Sequence, residues 1–431
     1  MRRLQHTMGL ACTLAAAGTM IASGAATADM ATVPNNSDDV RALVSEMLAD
    51  AEGRSSLLQS GATAGHDGGF FVSSADGAFK LNIKGFMQFR YELNFRDGNT
   101  IGDDFTPGFN APRTVMFFKG QIFDDIGYQI RMNFMRTTGG GVLDDAFITY
   151  KFDDEWSVRV GQGLHAFDRE WFHGDVKLQT IERSLVALMF GGQRTQGIMA
   201  KYQGDDFRTF LTFSDGLRGQ NTDFGASNAD FAFTARGEFK LAGDWKSVTG
   251  PLTSPMGSED AFALGGAIHY ETGPDTNVAG SVEQDLFAWT ADLNYKSDGW
   301  NVMAAVTGYH TSDEAGVAGA DFDEFGFVLQ SGVYLSEDTE LYGRYTLISP
   351  DDARAANDDF NAIALGVNWY IHGHAARFTV QGELFLDPTT DTIAGNFGNT
   401  GGRNPASSLF GVLADDDDNQ FALSAQFQLL F

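Results

Sequence analysis

From Phe79 to Arg96 the chain alternates with a period of two. Odd positions carry Phe79, Leu81, Ile83, Gly85, Met87, Phe89, Tyr91, Leu93 and Phe95, and every even position except Phe86 is polar. Successive side chains of a strand point to opposite faces, so this is a strand with one apolar and one polar side. Soluble strands average about five or six residues, and few sustain such alternation for so long. The pattern returns at the C-terminus, where Phe421, Leu423, Ala425, Phe427, Leu429 and Phe431 occupy every second position. Between these ends, alternating segments recur near 112–122, 127–138, 142–153, 155–163, 194–203, 206–214, 229–242, 260–271, 285–297, 299–310, 323–335, 338–348, 359–371 and 374–386. With the two ends these make sixteen strands, an even number as bacterial single-chain barrels have. The expected fold is all-β: a sixteen-stranded antiparallel transmembrane β-barrel over 79–431.

The connections give an independent test, because such barrels have short periplasmic turns and longer outer loops. Connections leaving even-numbered barrel strands are short and rich in Gly, Asp and Ser: 123–126, 153–155, 204–205, 297–299, 336–337 and 372–374. These residues favour tight turns, through tolerance of positive φ or local side-chain hydrogen bonds. Those leaving odd-numbered strands are mostly longer: 97–111, 164–193, 215–228, 272–284, 311–322, 349–358 and 387–418. Two connections break the rule, with 139–141 short on the outer side and 243–259 long on the periplasmic side.

Ahead of the barrel, Arg2 and Arg3, an apolar stretch from Leu10 to Ala26 and the small residues Ala26-Thr27-Ala28 read as a signal peptide over 1–28. Cys12, the one cysteine, lies inside it, so the mature chain is expected to have neither disulfides nor thiolate metal sites. Residues 29–78 are expected to form a periplasmic segment with a short helix. Within Asp39–Leu58, apolar residues at Val40, Leu43, Val44, Met47, Leu48 and Ala51 have helical spacing, which leaves three readings open: self-association as a coiled coil, a docked lone helix or a frayed tail. No apolar run after the signal reaches the roughly 18 residues of a membrane-spanning helix. The net charge of −28 argues against nucleic acid, whose phosphates demand clustered Lys and Arg. No cofactor is called for by any motif.

Alternation also makes the inner face readable. Expected inward bases include Lys80, Lys84, Arg90, Arg113, Lys119, Arg131, Lys151, Arg159, Arg208, Arg236, Arg344 and Arg377, and inward acids include Glu92, Asp145, Glu238, Asp292, Glu340 and Glu383. Lys or Arg on the lipid face would cost about 2–4 kcal/mol at mid-membrane, so charge belongs inside any barrel. Two readings stay open: a solvated lumen of paired charges, or a basic track that guides anions. The connection 164–193 is the candidate constriction loop, with Asp168, Arg169, Glu170, Lys177 and Arg183 carrying both signs. His165, Asp168, Glu170 and His173 could be read as a metal or hydrolytic cluster, but their spacing fits no zinc-protease helix and no serine elbow accompanies them. Neither a metal site nor an enzyme is expected. Asp415–Asp418 reads as a solvated outer loop, with calcium or lipopolysaccharide-bridging cations as the alternative; outer-membrane lipid and lipopolysaccharide are the expected surroundings of the barrel.

With the strands laid out, several stretches acquire a common likeness: Gly85-Phe86-Met87-Gln88-Phe89-Arg90, Phe118-Lys119-Gly120-Gln121-Ile122-Phe123-Asp124-Asp125, Val158-Arg159-Val160-Gly161-Gln162, Ile181-Glu182-Arg183-Ser184-Leu185 and Leu365-Gly366-Val367-Asn368-Trp369-Tyr370. In order and spacing the chain resembles the phosphate-selective porin O and P family. That resemblance implies a sixteen-stranded outer-membrane barrel, usually a homotrimer, passing small hydrophilic solutes with a preference for anions or phosphate. The alternative is an outer-membrane structural barrel whose N-terminal helix anchors it to the cell wall.

Overall fold

The computed structural model describes residue 45 and residues 62–97, 102–134, 139–224, 229–273, 284–313, 321–352, 359–389, 411–415 and 417–431. Chain contacts separate two units, Met1–Ser60 and Gly61–Phe431. The signal peptide and the helix expected within Asp39–Leu58 lie outside the described residues.

The second unit opens with a hairpin of β1 (Thr63–His66) and β2 (Phe70–Ser73), followed by β3 (Phe79–Phe95), β4 (Phe105–Ile122), β5 (Ile126–Phe134), β6 (Gly141–Lys151), β7 (Trp156–Leu164), β8 (Arg194–Gln203) and β9 (Phe207–Ser214). The series continues with β10 (Phe231–Ala242), β11 (Ala261–Thr272), β12 (Gln284–Ser297), β13 (Trp300–Asp313), β14 (Phe322–Tyr334), β15 (Thr339–Ser349), β16 (Phe360–His372), β17 (Ala376–Phe385) and β18 (Gln420–Leu430). From β3 onward each strand pairs antiparallel with the next, and β18 pairs with β3 from Phe421↔Phe95 to Leu430↔Phe86, closing a ring of sixteen. Closure leaves no sheet edge, the condition for a sheet to cross a bilayer. At the seam the Gly85 N–H donates to the Phe431 carbonyl at 2.8 Å and the Phe431 N–H returns the bond at 2.9 Å. A side chain at 85 would strike the Phe431 ring at 2.6 Å, so Gly85 fits the terminal aromatic.

The β1–β2 hairpin was not legible in the sequence. β2 pairs with the first part of β3, from Phe70↔Ile83 to Ser73↔Lys80, just beyond the last rung made by β18. β3 is longer than β18, and the hairpin covers the backbone groups that would otherwise stand open there.

Along the wall the alternation holds. In β3, Met87, Phe89 and Tyr91 are exposed outward while Gln88 and Arg90 are buried inward. Two irregularities have physical causes. β4 starts at Phe105 rather than near 112 because the β3–β4 register shifts between Gln88↔Arg113 and Arg90↔Asn110. This bulge takes Ala111 and Pro112 out of the ladder, where proline has no N–H to give. A second shift between Arg131↔Asp145 and Met132↔Leu143 leaves Asp144 unpaired in register, and Asp144 and Asp145 are both buried. β5 ends at Phe134; residues 135–138, also expected in that strand, lie outside the described residues.

Gly161 has φ of +121°, and a Cβ there would lie 2.3 Å from the Ala146 carbonyl oxygen and 2.9 Å from the Phe147 Cα. Both obstacles are backbone. Gly161→Ala is therefore expected to destabilise the barrel by about 1–3 kcal/mol, read as a lower denaturation midpoint of the refolded protein.

The long connection 243–260 folds into the mouth formed by the short turns. Asp244 caps the helical turn Trp245–Thr249 by accepting the Ser247 N–H at 2.6 Å. Trp245 donates to the Gly204 carbonyl, Lys296 to Ser247 and Pro251 carbonyls, and Asn301 to the Leu252 carbonyl. Val248 and Leu252 are buried. The segment is long because it occupies interior space, which accounts for its breaking the turn-length rule.

Candidate functional site

Residues 165–193, between β7 and β8, fold into the barrel. Asp168 caps the helical turn Arg169–Phe172 by accepting the Trp171 N–H at 2.8 Å, and its other oxygen accepts the Gly192 N–H at 3.1 Å, tying the two ends of the loop together. Ser184 caps the helix Leu185–Phe190, and Glu170 accepts the Ser184 N–H at 3.0 Å. That helix is wholly apolar and packs in one cluster with Leu286, Tyr309, Ile348, Phe360 and Phe385 of the wall. This side of the lumen is a dry core, contrary to a uniformly polar interior.

The inward arginines expected to line water are largely engaged by acids. Glu182 of the loop takes Arg90 at 2.6 Å and Arg113 at 2.6 and 2.7 Å. Asp175 takes Arg131 at 2.5 Å and the loop's own Arg183 at 2.6 Å, while Arg131 also reaches Asp144 at 3.0 Å. A second group joins Arg169 of the loop to Asp292 and, at 3.4 Å, to Glu238; Arg236 sits 2.7 Å from Glu238 and 2.8 Å from Asp292, and Arg208 also pairs with Glu238. Arg344 pairs with Glu383 at 3.0 Å and donates to the Glu182 carbonyl at 2.7 Å. Eight of the residues singled out, Arg90, Arg113, Arg131, Arg169, Arg183, Arg208, Arg236 and Arg344, thus form a paired lattice that fastens the loop to the wall. On this side the inward charges of the wall are paired.

The others fall elsewhere. Lys84 is half-buried and Lys119 exposed. Lys177 donates to the Thr249 carbonyl at 2.9 Å, bridging the loop 165–193 to the inserted segment 243–260. His165, Asp168, Glu170 and His173 do not converge: His165 bonds Thr234 at 2.7 Å and His173 the Arg169 carbonyl at 2.9 Å, so each is spent on folding the loop.

Further basic charge surrounds a cavity of about 680 Å³ between the walls of β6–β9, the loop residues Phe172 and His173, and the inserted segment. Its charged wall residues are Lys151, Arg159, Lys201 and Arg208, joined by Lys246, and no carboxylate lines it. Arg159 donates to the Leu164 carbonyl at 2.7 Å. Among the described residues, no ion pair is made by Lys151, Arg159, Lys201 or Lys246. The alternation of the sequence already turns Lys151, Arg159 and Arg208 inward. Lys201 was missed although its phase in β8 already placed it inward, and Lys246 stands in a connection that the sequence pattern left unexplained.

A family model, phosphate-selective porin O and P, matches residues 82–324, more than half of the chain. The chain belongs to this family. It is therefore an outer-membrane porin of bacteria, a channel rather than an enzyme. Among solved structures, this porin is similar to the outer membrane channel DcaP of Acinetobacter baumannii, at 14% identity and TM-score 0.55 over 83% of this chain and 99% of that one. It is also similar to an anion-selective porin from Comamonas acidovorans, at 10% identity and TM-score 0.55 over 82% and 100% of the two chains. Vibrio cholerae OmpT in its trimer form aligns at 14% identity and TM-score 0.51 over 81% and 99%. At these identities the likeness is one of fold. No match is found among curated proteins.

Proposed function

We propose that this porin prefers anions and that the anion path runs through the basic cavity rather than along the arginine lattice. The observation that carries this is the contrast between the two: wall arginines facing the loop are matched by Glu182, Asp175, Glu238 and Asp292, whereas the cavity gathers Lys151, Arg159, Lys201 and Lys246 without a lining acid. Fixed charge of one sign along low-dielectric walls raises the local concentration of counter-ions. The constriction loop sets the bore by filling the opposite side. Assembly as a homotrimer follows from the family resemblance and from the trimer form of the Vibrio cholerae relative.

Reversal potentials in planar bilayers across a KCl gradient test the reading. The wild-type protein is expected to favour chloride, and the double variant Lys151→Glu, Lys201→Glu to move toward cation selectivity. Both lysines lack ion pairs among the described residues, so the exchange leaves the lattice intact. A cation-selective wild type, or a double variant with unchanged reversal potential, would overturn the proposal.

A further inference from the structure

The lining of the basic cavity is not that of a site for compact hydrated ions. Beside its cations stand the rings of Phe147, Phe172, Phe210 and Trp245. Phe147 and Phe210 occupy inward positions of β6 and β9, where alternation in a water-filled barrel calls for polar side chains. Phe172 comes from the constriction loop and Trp245 from the inserted segment 243–260, so both segments that enter the lumen contribute an aromatic face to one place. The rings are interleaved with guanidinium groups: the Arg208 guanidinium carbon lies 4.5 Å from the Trp245 ring centre and 5.4 Å from that of Phe210, and Arg159 stands 5.1 Å from Phe147. Phe172 meets Phe210 edge-on at 4.9 Å.

We propose, resting on the anion reading above, that this vestibule binds organic anions with a flat apolar body, aromatic carboxylates, in preference to compact inorganic anions. A small hydrated anion gains from the lysines but nothing from the rings, which offer no donor to replace the water it sheds. An aromatic carboxylate satisfies both parts: its carboxylate meets Lys151, Lys201 or Arg159, and its ring covers apolar surface against Phe210 and Trp245. The volume of about 680 Å³ falls within the several-hundred Å³ typical of small-molecule sites.

The test is chloride current through single channels in planar bilayers, with benzoate, acetate or inorganic phosphate added in turn. Benzoate is expected to produce transient blocks at concentrations where acetate and phosphate do not. In Trp245→Ala the benzoate block should weaken about tenfold, the loss of one aromatic contact, and Trp245→Phe should restore it, which a merely misplaced segment would not. An anion-selective channel that treats benzoate as it treats acetate overturns this inference while leaving the anion reading standing. So does a benzoate block that persists in Trp245→Ala. A wild-type channel without chloride preference overturns the anion reading itself, and this inference with it.

Discussion

Replacing Glu182 with glutamine is expected to lower the stability of the folded porin by about 3 kcal/mol and to raise its single-channel conductance. Glu182 is buried and holds two guanidinium groups, Arg90 at 2.6 Å and Arg113 in a two-pronged contact at 2.6 and 2.7 Å. Burial alone would raise its pKa, but Arg113 and Arg90 hold it below the ordinary glutamate value. Breaking a buried pair by removing one partner costs about 3–5 kcal/mol, mostly the cost of the charge left behind. Two circumstances put this case at the low end. Arg90 keeps Glu92 at 3.0 Å and Arg113 keeps Asp175 at 3.6 Å, and the variant's amide oxygen still accepts one bond. The conductance change follows from position. Glu182 lies between the Arg131–Asp175 contact and the helix Leu185–Phe190, so freeing it loosens the middle of the loop while Asp168 still holds its ends. Denaturant titration of refolded protein and bilayer recordings read the two effects. A variant with wild-type stability and conductance would show that the lattice does not hold the constriction.

Much of the wall was legible because a barrel strand has only two environments, lipid and lumen, and a side-chain period of two distinguishes them by polarity alone. Arg90, Arg113, Arg131, Arg208, Arg236 and Arg344 were all placed on the inner face from phase. What they do there was not legible. Whether an inward arginine meets water or a carboxylate depends on where residues 165–193 run once folded, and nothing in the sequence phase of β3 or β4 encodes the position of Glu182. Phase also fails at register shifts. Strict alternation turned only Asp145 inward, yet the β5–β6 shift buries Asp144 as well and gives Arg131 its second partner. Pro112 hid the first part of β4 because proline reads as a strand stop, whereas the bulge lets the chain pass it. The connection 243–260 looked like a surplus periplasmic loop since turn length was the only criterion available. Its inward course depends on tertiary partners, Lys296, Asn301 and Lys177, which become neighbours only when the barrel closes.

Acidification should release the loop 165–193 before it unfolds the barrel. Three histidines outside the strands stand around that loop, His165 and His173 buried and His374 half-buried. His165 is held well below its ordinary pKa by burial, with His269 and Arg159 nearby; His173 is brought down to about 3 by burial and by Arg169, Lys296 and Lys177; His374 is brought to about 3 by burial and by Arg377, Lys296 and Lys177. Each imidazole titrates lower when folded than in the unfolded chain, so between those values the folded state binds fewer protons and falling pH favours the open state. The stability they contribute is present above about pH 6.5 and is lost as the pH drops toward 3, at about 1.4 kcal/mol per pH unit for each imidazole in its window. Asp168 works the other way. Burial raises its pKa to about 6 despite the Trp171 and Gly192 amides that favour its charged form. The folded state therefore takes up a proton there below about pH 6, offsetting one of the three imidazoles. The net expectation is a loss of up to about 3 kcal/mol per pH unit between 6 and 4, shallower near 6.5, where the imidazoles of the unfolded chain are only half protonated. It falls first on the loop, because His165 stands at its root, His173 bonds its first helical turn, and the His374 Nδ1–H donates to the Val176 carbonyl at 3.0 Å, whereas the ladder hydrogen bonds of the wall carry no titrating group. Thermal denaturation as a function of pH, paired with bilayer conductance, measures both parts. The His173→Gln, His374→Gln double variant should flatten the pH slope by about two imidazoles' worth, and a wild-type protein whose stability and conductance are the same at pH 4 and pH 7 would refute the mechanism.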